Sequence, residues 1–382
     1  MADLYSIWDE LVRENVPYQI VSSPMLQFGT ERRGYIGATL LPEQLRSQNE
    51  YTETKVTYKT FPALDGTRYS EPRMQGQQLV GSFQVRLGEI DTASQLTGHD
   101  LDALIEIAQD NPQSARQRLI QWMTNAFGVS LAEKAEIQRW QAIVDAEVTI
   151  KGMDGNEETV SMADPAGHRF GVPSGTTASP TGWYNDSYDP MEDIYTAYET
   201  LRDKGYMINR IIGDTQLLSV LSKNDVMRQR LGSITVSNDG STINTRQGLV
   251  SAQALNQYLQ AEWGLPPLEL YDTTYATPTG NGRAYFKKRG AMCFISTTGR
   301  DEMFDRPNNA TDETDVEIIT DTLGYYAIGR AVGQITPGRQ IETETRTMKP
   351  VGIYGQSFQT SFPVITEPEA IAVIQVDPPT AE

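Results

Sequence analysis

Hydrophobic and polar residues alternate in two segments near the start of the chain, residues 51–61 and 79–90. In the first, Val56 and Tyr58 lie on one face, and charged side chains lie on the other. A period of two over this length predicts half-buried strands. Residues 62–78 between them contain proline and glycine but almost nothing to bury. We therefore predict a long two-stranded hairpin with a polar tip, and because such a hairpin is marginally stable alone, it needs a partner surface.

A helical period appears first in residues 3–14, where Leu4, Ile7, Trp8, Leu11 and Val12 share one face and Pro17 ends the pattern. An isolated helix of this length is marginal in water, so its apolar face must be covered. It can dock on the core of its own chain or on a neighbouring molecule, and the sequence leaves both open.

Residues 98–149 predict three further helices. The first two run from His99 to Gln109 and from Ser114 to Phe127. Ser130 and Glu133 have the spacing of a capping box, which predicts the start of a third helix that reaches about Val148. The glycine- and proline-rich stretch 152–187 then predicts short strands, a surface loop and the end of a lobe.

A second lobe begins with an N-cap signature. Asp189 precedes Pro190 at the first helical position, and Lys204-Gly205 closes this helix. Helices and short strands alternate from there to about residue 335, which predicts a small sheet with helices around it. Residues 351–376 are rich in strand-forming residues and are expected to return to the first lobe. The fold class predicted is therefore α+β.

Composition narrows the classes of function. The 382 residues include 50 acidic and 32 basic side chains, giving a formal charge of -18, which argues against sequence-specific DNA binding because phosphate contact needs a basic footprint. The sequence has no run of eighteen apolar residues, so we predict no membrane span. The acidic N-terminus does not resemble a signal peptide. The single cysteine, Cys293, excludes an intrachain disulfide.

Candidate catalytic and metal-binding residues are few. His99, His168 and Cys293 lack the neighbours that a metal site requires, and no nucleophile elbow or phosphate loop is present. Two groups of acids would suit divalent-ion binding or paired-carboxylate catalysis, but capping explains part of the first and a solvated surface explains the second. These groups are Asp186, Asp189, Glu192 and Asp193, and Asp312, Glu313, Asp315 and Glu317. We predict no enzymatic activity, cofactor or metal.

Four blocks of sequence, taken in order, resemble one known family. They are AEIQRWQAIVDAEVTIKGMDGN at 135–156, TGWYNDSYDPMEDI at 181–194, INRIIGDTQLLSVLSKNDVMRQRL at 208–231 and FPVITEPEAIAVIQV at 362–376. In this order they resemble the lambda-type major capsid proteins, the phage capsid protein E family with the Hong Kong 97-type fold. The remaining regions match mainly in layout.

The resemblance implies a domain plan and an intersubunit surface. The plan has an N-terminal arm (1–50), a long hairpin called the E-loop (51–95), a peripheral domain with a spine helix (96–188 and 336–382) and an axial domain (189–335). The arm and the E-loop would contact neighbouring subunits. The residues expected in these contacts are Trp8, Leu11, Lys55, Tyr58, Lys59, Arg68, Glu71, Arg73 and Arg86. No isopeptide cross-link through Lys55 or Lys59 is expected.

The function implied is self-assembly. Pentamers and hexamers would form the icosahedral head of a tailed phage, enclosing double-stranded DNA that the chain contacts only non-specifically. A separate scaffolding protein, a portal and a possible decoration protein are the expected partners, and the chain would be a virion component assembled in the host cytoplasm without a membrane. The alternatives are a carboxylate-dependent carbohydrate-active enzyme and a β-rich phage fibre-type binding protein.

Overall fold

The structure is a computed structural model. It describes residues 4–22, 34–58, 78–151, 157–231, 251–277, 282–297, 303–304, 322–346 and 351–380. The helices are α1 (Leu4–Arg13), α2 (Val16–Ser22), α3 (Ile36–Leu40), α4 (His99–Asp110), α5 (Pro112–Met123), α6 (Ser130–Asp145), α7 (Pro190–Asp203), α8 (Thr215–Lys223), α9 (Asp225–Leu231) and α10 (Ala252–Trp263). A π-helical turn, Thr124–Val129, joins α5 to α6.

Strands β1 to β9 are Glu43–Leu45, Glu50–Tyr58, Gln78–Arg86, Gly88–Thr97, Glu147–Lys151, Glu157–Ser161, Arg169–Val172, Arg210–Gly213 and Leu268–Leu270. Strands β10 to β17 are Thr274–Ala276, Arg283–Tyr285, Ala291–Ile295, Met303–Phe304, Gly324–Ile328, Gln340–Arg346, Gly352–Ile365 and Ile371–Val376. The mixture of helices and strands agrees with the α+β class that the sequence predicts.

The first sheet is built around β16. This strand pairs antiparallel with β4 along residues 352–361, with β15 along 352–358 and with β14 along 361–365, while β1 pairs parallel with β14. One face of the β4–β16 pair, carrying Ile90, Leu96 and Ile353, is buried against α1, α4 and α5. The other face is exposed.

The second sheet has the strand order β7-β17-β12-β8-β9. All five residues of β12 are buried, and α7 packs on β17. The C-terminal tail therefore divides between the sheets: β16 lies in the first, and β17 lies in the second beside β12. The pattern IAVIQV is apolar on both faces, which suits a central strand of either sheet, so periodicity alone could not place it. The domain boundaries themselves stay a prediction.

The N-terminal helix packs on its own chain. Leu4 and Leu11 are fully buried, and Trp8 is 2% exposed, in a core shared with α4 and α5. Arg116 on α5 forms ion pairs with Glu10, at 3.6 Å, and with Glu14. Pro17 does not simply end this helix, because it lies in the first turn of α2, after Asn15 has adopted a positive φ of 59°.

Helices α5 and α6 are continuous through the π-helical turn. The prediction that a capping box at Ser130 begins a separate helix is therefore wrong. Ser130 has helical dihedrals, and its hydroxyl donates to the Ala126 carbonyl at 2.6 Å instead of capping a new helix. Thr124 donates in the same way to the Ile120 carbonyl at 2.8 Å. Both back-bonds lie at the π-turn, so the Ser130 hydroxyl that suggested a helix start belongs instead to an irregular turn within a longer helix.

The predicted cap at Asp189 is confirmed, and two later helices begin with a side-chain cap of the same kind. The Asp189 carboxylate accepts from the Met191 amide at 3.1 Å, Asn224 from Met227 at 3.0 Å, and Ser251 from Ala254 at 3.1 Å. Gly264 ends α10 with a positive φ of 66°. Local signals of this kind are reliable because cap and helix are adjacent in sequence.

Candidate functional site

The hairpin formed by β2 and β3 is the most distinctive local feature. Its strands pair antiparallel from Glu50 opposite Arg86 to Tyr58 opposite Gln78, which confirms the predicted pairing. Nine residue pairs correspond to roughly 30 Å of strand. Met303–Phe304 of β13 pairs with β2 along its other edge. The hairpin and β13 therefore form a separate, elongated three-stranded sheet.

The hairpin ends earlier than the alternation 79–90 suggested. The chain turns at Leu87, whose amide donates to the Asn49 carbonyl at 3.0 Å, and β4 then continues into the first sheet. Ile90 and Leu96 supply the reason, because their side chains are buried against the helices of the first lobe. One stretch of alternating residues thus serves two sheets.

The root of the hairpin is fixed by a residue that the sequence analysis did not identify. The Asn49 side chain donates to the Arg330 carbonyl at 2.9 Å and accepts from the Arg330 amide at 2.7 Å. It thus forms the two hydrogen bonds that a neighbouring strand would form with Arg330. The Tyr51 and Tyr325 hydroxyls are hydrogen-bonded at 2.9 Å, and the Arg46 guanidinium lies 4.5 Å from the centre of the Tyr325 ring. These contacts tie β2 to the end of β14.

Among the contact residues predicted on the hairpin, Arg86 is the one with a described side chain. Arg86 lies at the hairpin root, 79% exposed, and its Nε is 3.2 Å from the Glu50 carboxylate. Lys55 and Tyr58 lie on β2, but the structure describes only their backbone. Lys59, Arg68, Glu71 and Arg73 lie outside the described residues.

Trp8 and Leu11 require a correction. Both were expected in contacts with a neighbouring subunit, but the structure buries them in the core of their own chain. The physical reason is the apolar surface of α4 and α5, which covers Leu4, Ile7, Trp8 and Leu11 within one molecule and leaves Val12 40% exposed. Of the two docking modes left open by the sequence, the structure has the intramolecular one.

A buried polar cluster on α6 connects the two sheets. One oxygen of the fully buried Glu136 accepts from the Gly37 amide at 2.9 Å, from Trp140 Nε1 at 2.8 Å and from the Tyr271 hydroxyl at 2.9 Å. Burial, together with the Glu136 carboxylate, raises the pKa of the Tyr271 phenol. A Cβ atom at Gly37 would meet this carboxylate at 2.8 Å, so a larger residue there would displace Glu136 from its hydrogen bonds.

The same cluster extends toward β1 and β15. Arg139 is 1% exposed, donates to the Leu41 carbonyl at 3.0 Å and lies 3.4 Å from a Glu43 oxygen that Arg339 also contacts at 2.6 Å. Burial opposes ionisation of Glu43, but Arg339 and Arg139 outweigh it and hold the pKa of this carboxyl below its ordinary value. Burial also raises the pKa of Tyr326, beneath Arg139, to about 12. Nothing in the sequence distinguished these two charges, because the same helix also carries Glu133, Lys134 and Asp145.

A second buried ion pair lies in the other lobe. Lys287 and Asp214 are 1% and 2% exposed, and their charged atoms are 3.0 Å apart. The Lys287 ammonium also donates to the carbonyls of Ala291 at 2.6 Å and Lys288 at 3.1 Å. All three of its protons thus have acceptors, which is what a charge buried this deeply requires.

Of the acidic, histidine and cysteine candidates, Asp189, Asp193 and His168 have structural partners, and Cys293 is buried. Asp193 accepts from Trp183 Nε1 at 2.6 Å and from the Tyr188 hydroxyl, while Asp189 caps α7 and pairs with Arg230. His168 is buried, with Nδ1 2.9 Å from the Ile371 carbonyl oxygen. Burial raises the pKa of the Cys293 thiol to about 11. Within the described ranges, no three of these residue types are arranged to hold a metal ion.

In the same ranges, no helix combines the length and the apolar character that crossing a bilayer demands. The acids at 312–317 lie outside the described residues.

Comparison with solved structures decides the fold. The chain superposes on the crystal structure of a prophage protein from Escherichia coli CFT073, described as a capsid protein, with a TM-score of 0.52 and 12% identity, covering 98% of this chain and 99% of that one. The chain has the Hong Kong 97-type capsid fold. The fold that the sequence resemblance implied is thereby confirmed.

Two further solved structures are similar to this chain with lower TM-scores. A phage-related protein of Bordetella bronchiseptica RB50 has a TM-score of 0.47 and 15% identity over 93% of this chain and 97% of that one. A virus-like particle from Pyrococcus furiosus has a TM-score of 0.44 and 8% identity over 94% and 98%. No family model and no curated protein matches the sequence. The lambda-type subdivision therefore stays a prediction.

Proposed function

We propose that this chain is the major capsid protein of a tailed phage, which assembles into a closed icosahedral shell around double-stranded DNA. The observation that carries the proposal is the fold, shared over nearly the full length of both chains with a protein described as a prophage capsid protein. Pentamers and hexamers of identical subunits would form the shell, because closed symmetry repeats each contact.

The hairpin supports the same proposal. It extends from a root fixed by Asn49 and Tyr51, and its described strands are held mainly to each other and to β13. An elongated hairpin of this kind gains stability from a further surface. We assign it the role of an E-loop that crosses a neighbouring subunit. Because α1 is already buried within its own chain, the arm contributes less to this reach than the sequence suggested.

The partners proposed follow from this role. A separate scaffolding protein would guide assembly, a portal would occupy one vertex, and a decoration protein would be optional. The charge of -18 suits a wall that does not bind the DNA it encloses. Shells would form in the host cytoplasm and end as virions. The carbohydrate-active enzyme is disfavoured by Asp189 and Asp193, which are engaged in capping and hydrogen bonds.

Electron microscopy of the purified chain tests the proposal. We expect shells, tubes or capsomer rings, whereas a persistent monomer under all assembly conditions would contradict it. Deletion of residues 62–78 should leave the subunit folded, as judged by circular dichroism, but stop shell formation. The matched control shortens another hairpin connection, residues 152–156 between β5 and β6, and should still assemble. Equal assembly by both variants would refute the role given to the hairpin.

A further inference from the structure

A local excess of positive charge lies in the second lobe of this acidic chain. Residues 273–300 contain no acidic residue and five basic ones, whereas the whole chain has 50 acidic and 32 basic residues. Three of the five are consecutive, at Lys287, Lys288 and Arg289, and the sequence has no other run of three basic residues. Lys287 is buried in its ion pair, but the two residues after it are exposed. The segment therefore presents positive charge to solvent.

A third exposed cation lies beside these two. Arg283 and Tyr285 alternate along β11, so their side chains lie on the same face of that strand. The Arg289 guanidinium lies 4.7 Å from the centre of the Tyr285 ring, which joins the exposed turn to β11. We call Arg283, Tyr285, Lys288 and Arg289 the basic turn.

The backbone of the basic turn is held by buried groups beneath it. The Lys287 ammonium donates to the Lys288 carbonyl at 3.1 Å. The Asp214 carboxylate accepts from the Gly290 amide at 2.7 Å, and Gly290 has the positive φ of 75° that this tight turn requires. The exposed cations are thus attached to a fixed backbone, which lowers the entropy cost of any contact they make.

The chemistry of the basic turn suits phosphate better than a protein surface. Residues 283–290, each of which the structure describes, include no exposed large apolar side chain, whereas protein interfaces are anchored by apolar and aromatic residues. Phosphate groups of nucleic acid are bound by arginine and lysine side chains without such an anchor. Lys288 also pairs with Asp145 at 3.5 Å, but both side chains are about half exposed, so water screens this pair.

We propose that the basic turn contacts the phosphate backbone of nucleic acid without reading its sequence. The inference rests on the proposed function, in which each subunit faces enclosed double-stranded DNA, and it adds the residues that meet this DNA. The acidic remainder of the chain repels phosphate, so the contact is local, weak and sensitive to salt. Such a contact positions the DNA relative to the wall without attaching it firmly.

DNA binding by the dissociated, full-length subunit tests the proposal. The turn variant replaces Arg283, Lys288 and Arg289 with glutamine, and the probe is a fluorescein-labelled DNA duplex of mixed sequence, followed by fluorescence anisotropy. Three phosphate contacts predict that the logarithm of the affinity falls with the logarithm of the salt concentration with a slope of about 2.7. The turn variant should bind at least about tenfold more weakly at low salt and lose most of this slope.

A matched control separates the basic turn from total charge. Replacing the exposed Arg13, Arg118 and Lys223 with glutamine lowers the formal charge by the same amount and should leave binding and its salt dependence unchanged. Circular dichroism verifies that both variants fold. An equal loss of binding in the control would overturn the assignment to the turn. Binding of a polyglutamate peptide as tight as that of the duplex would identify an acidic protein segment as the partner and would overturn it as well.

Labelling of assembled shells tests whether the basic turn faces the enclosed DNA. The single cysteine, Cys293, is buried, so Arg289→Cys supplies a selective site for a maleimide-linked polymer too large to cross a closed wall. In closed, empty shells we expect labelling only after dissociation, and labelling of intact shells would refute the contact with enclosed DNA. Failure to form shells would refute the proposed function, whereas shells built from a chain that does not bind the duplex would refute this inference alone.

Discussion

Replacing Lys287 with methionine should be among the most destabilising single changes in the second lobe. Methionine fills a similar volume but removes the ammonium group, leaving the buried Asp214 carboxylate with only the amides of Gly290, at 2.7 Å, and Leu217, at 2.8 Å. The carbonyls of Lys288 and Ala291 lose a donor as well. The change therefore isolates one buried charge without creating a large cavity.

The magnitude follows from burial. Removing one member of a buried ion pair costs about 3–5 kcal/mol, because the remaining charge keeps its desolvation penalty without the partner. Measured against a typical free energy of unfolding of about 5–15 kcal/mol, this is a large fraction. A loss of about 3–5 kcal/mol changes the equilibrium constant of folding by a factor of at least roughly a hundred.

The neighbouring lysine provides the control. Lys288 pairs with Asp145 at 3.5 Å, but these side chains are 50% and 40% exposed, so Lys288→Met should cost only about 0–1 kcal/mol. Urea unfolding of the dissociated subunits, followed by circular dichroism, measures both. Equal unfolding midpoints for Lys287→Met and Lys288→Met would refute the reasoning, because the two changes differ mainly in burial.

Two other predictions address the arm and the hairpin root. Trp8→Ala should lower the stability of the isolated subunit by about 3–5 kcal/mol through a core cavity, while Val12→Ala, at a side chain 40% exposed, should change it little; an unchanged melting temperature for Trp8→Ala would mean that the helix docks elsewhere. Asn49→Ala should cost about 1–3 kcal/mol locally and speed hydrogen exchange of the Arg330 amide, with exposed Gln48→Ala as control; unchanged exchange would contradict the assigned root.

Features encoded by neighbouring residues could be predicted from the sequence. The cap at Asp189, the glycine that ends α10 and the pairing of 51–58 with 78–86 all depend on short-range patterns, and the structure has each of them. Ser130 shows the limit of such signals. A serine three residues before a glutamate also fits the interior of a helix when its hydroxyl bonds back to the preceding turn.

Contacts between distant parts of the chain could not be predicted. Gly37 and Glu136 are 99 residues apart, and Asn49 and Arg330 are 281 apart, so no periodicity links either pair. A strand that is apolar on both faces suits a central position, and the sequence does not say in which sheet β17 occupies one. The contact surface itself stays a prediction, because the alternation identified the hairpin but the residues at its tip lie outside the described ranges.

The Glu136 carboxylate has a consequence for the geometry of any assembly. It accepts hydrogen bonds from the segment before β1, from α6 and from the residue that follows β9, which belong to different parts of the subunit. Since all three bonds converge on one oxygen, the tilt between the two sheets cannot change without breaking at least one of them. In the proposed shell, we therefore expect the curvature, and with it the radius, to depend on this point inside each subunit as well as on the contacts between subunits.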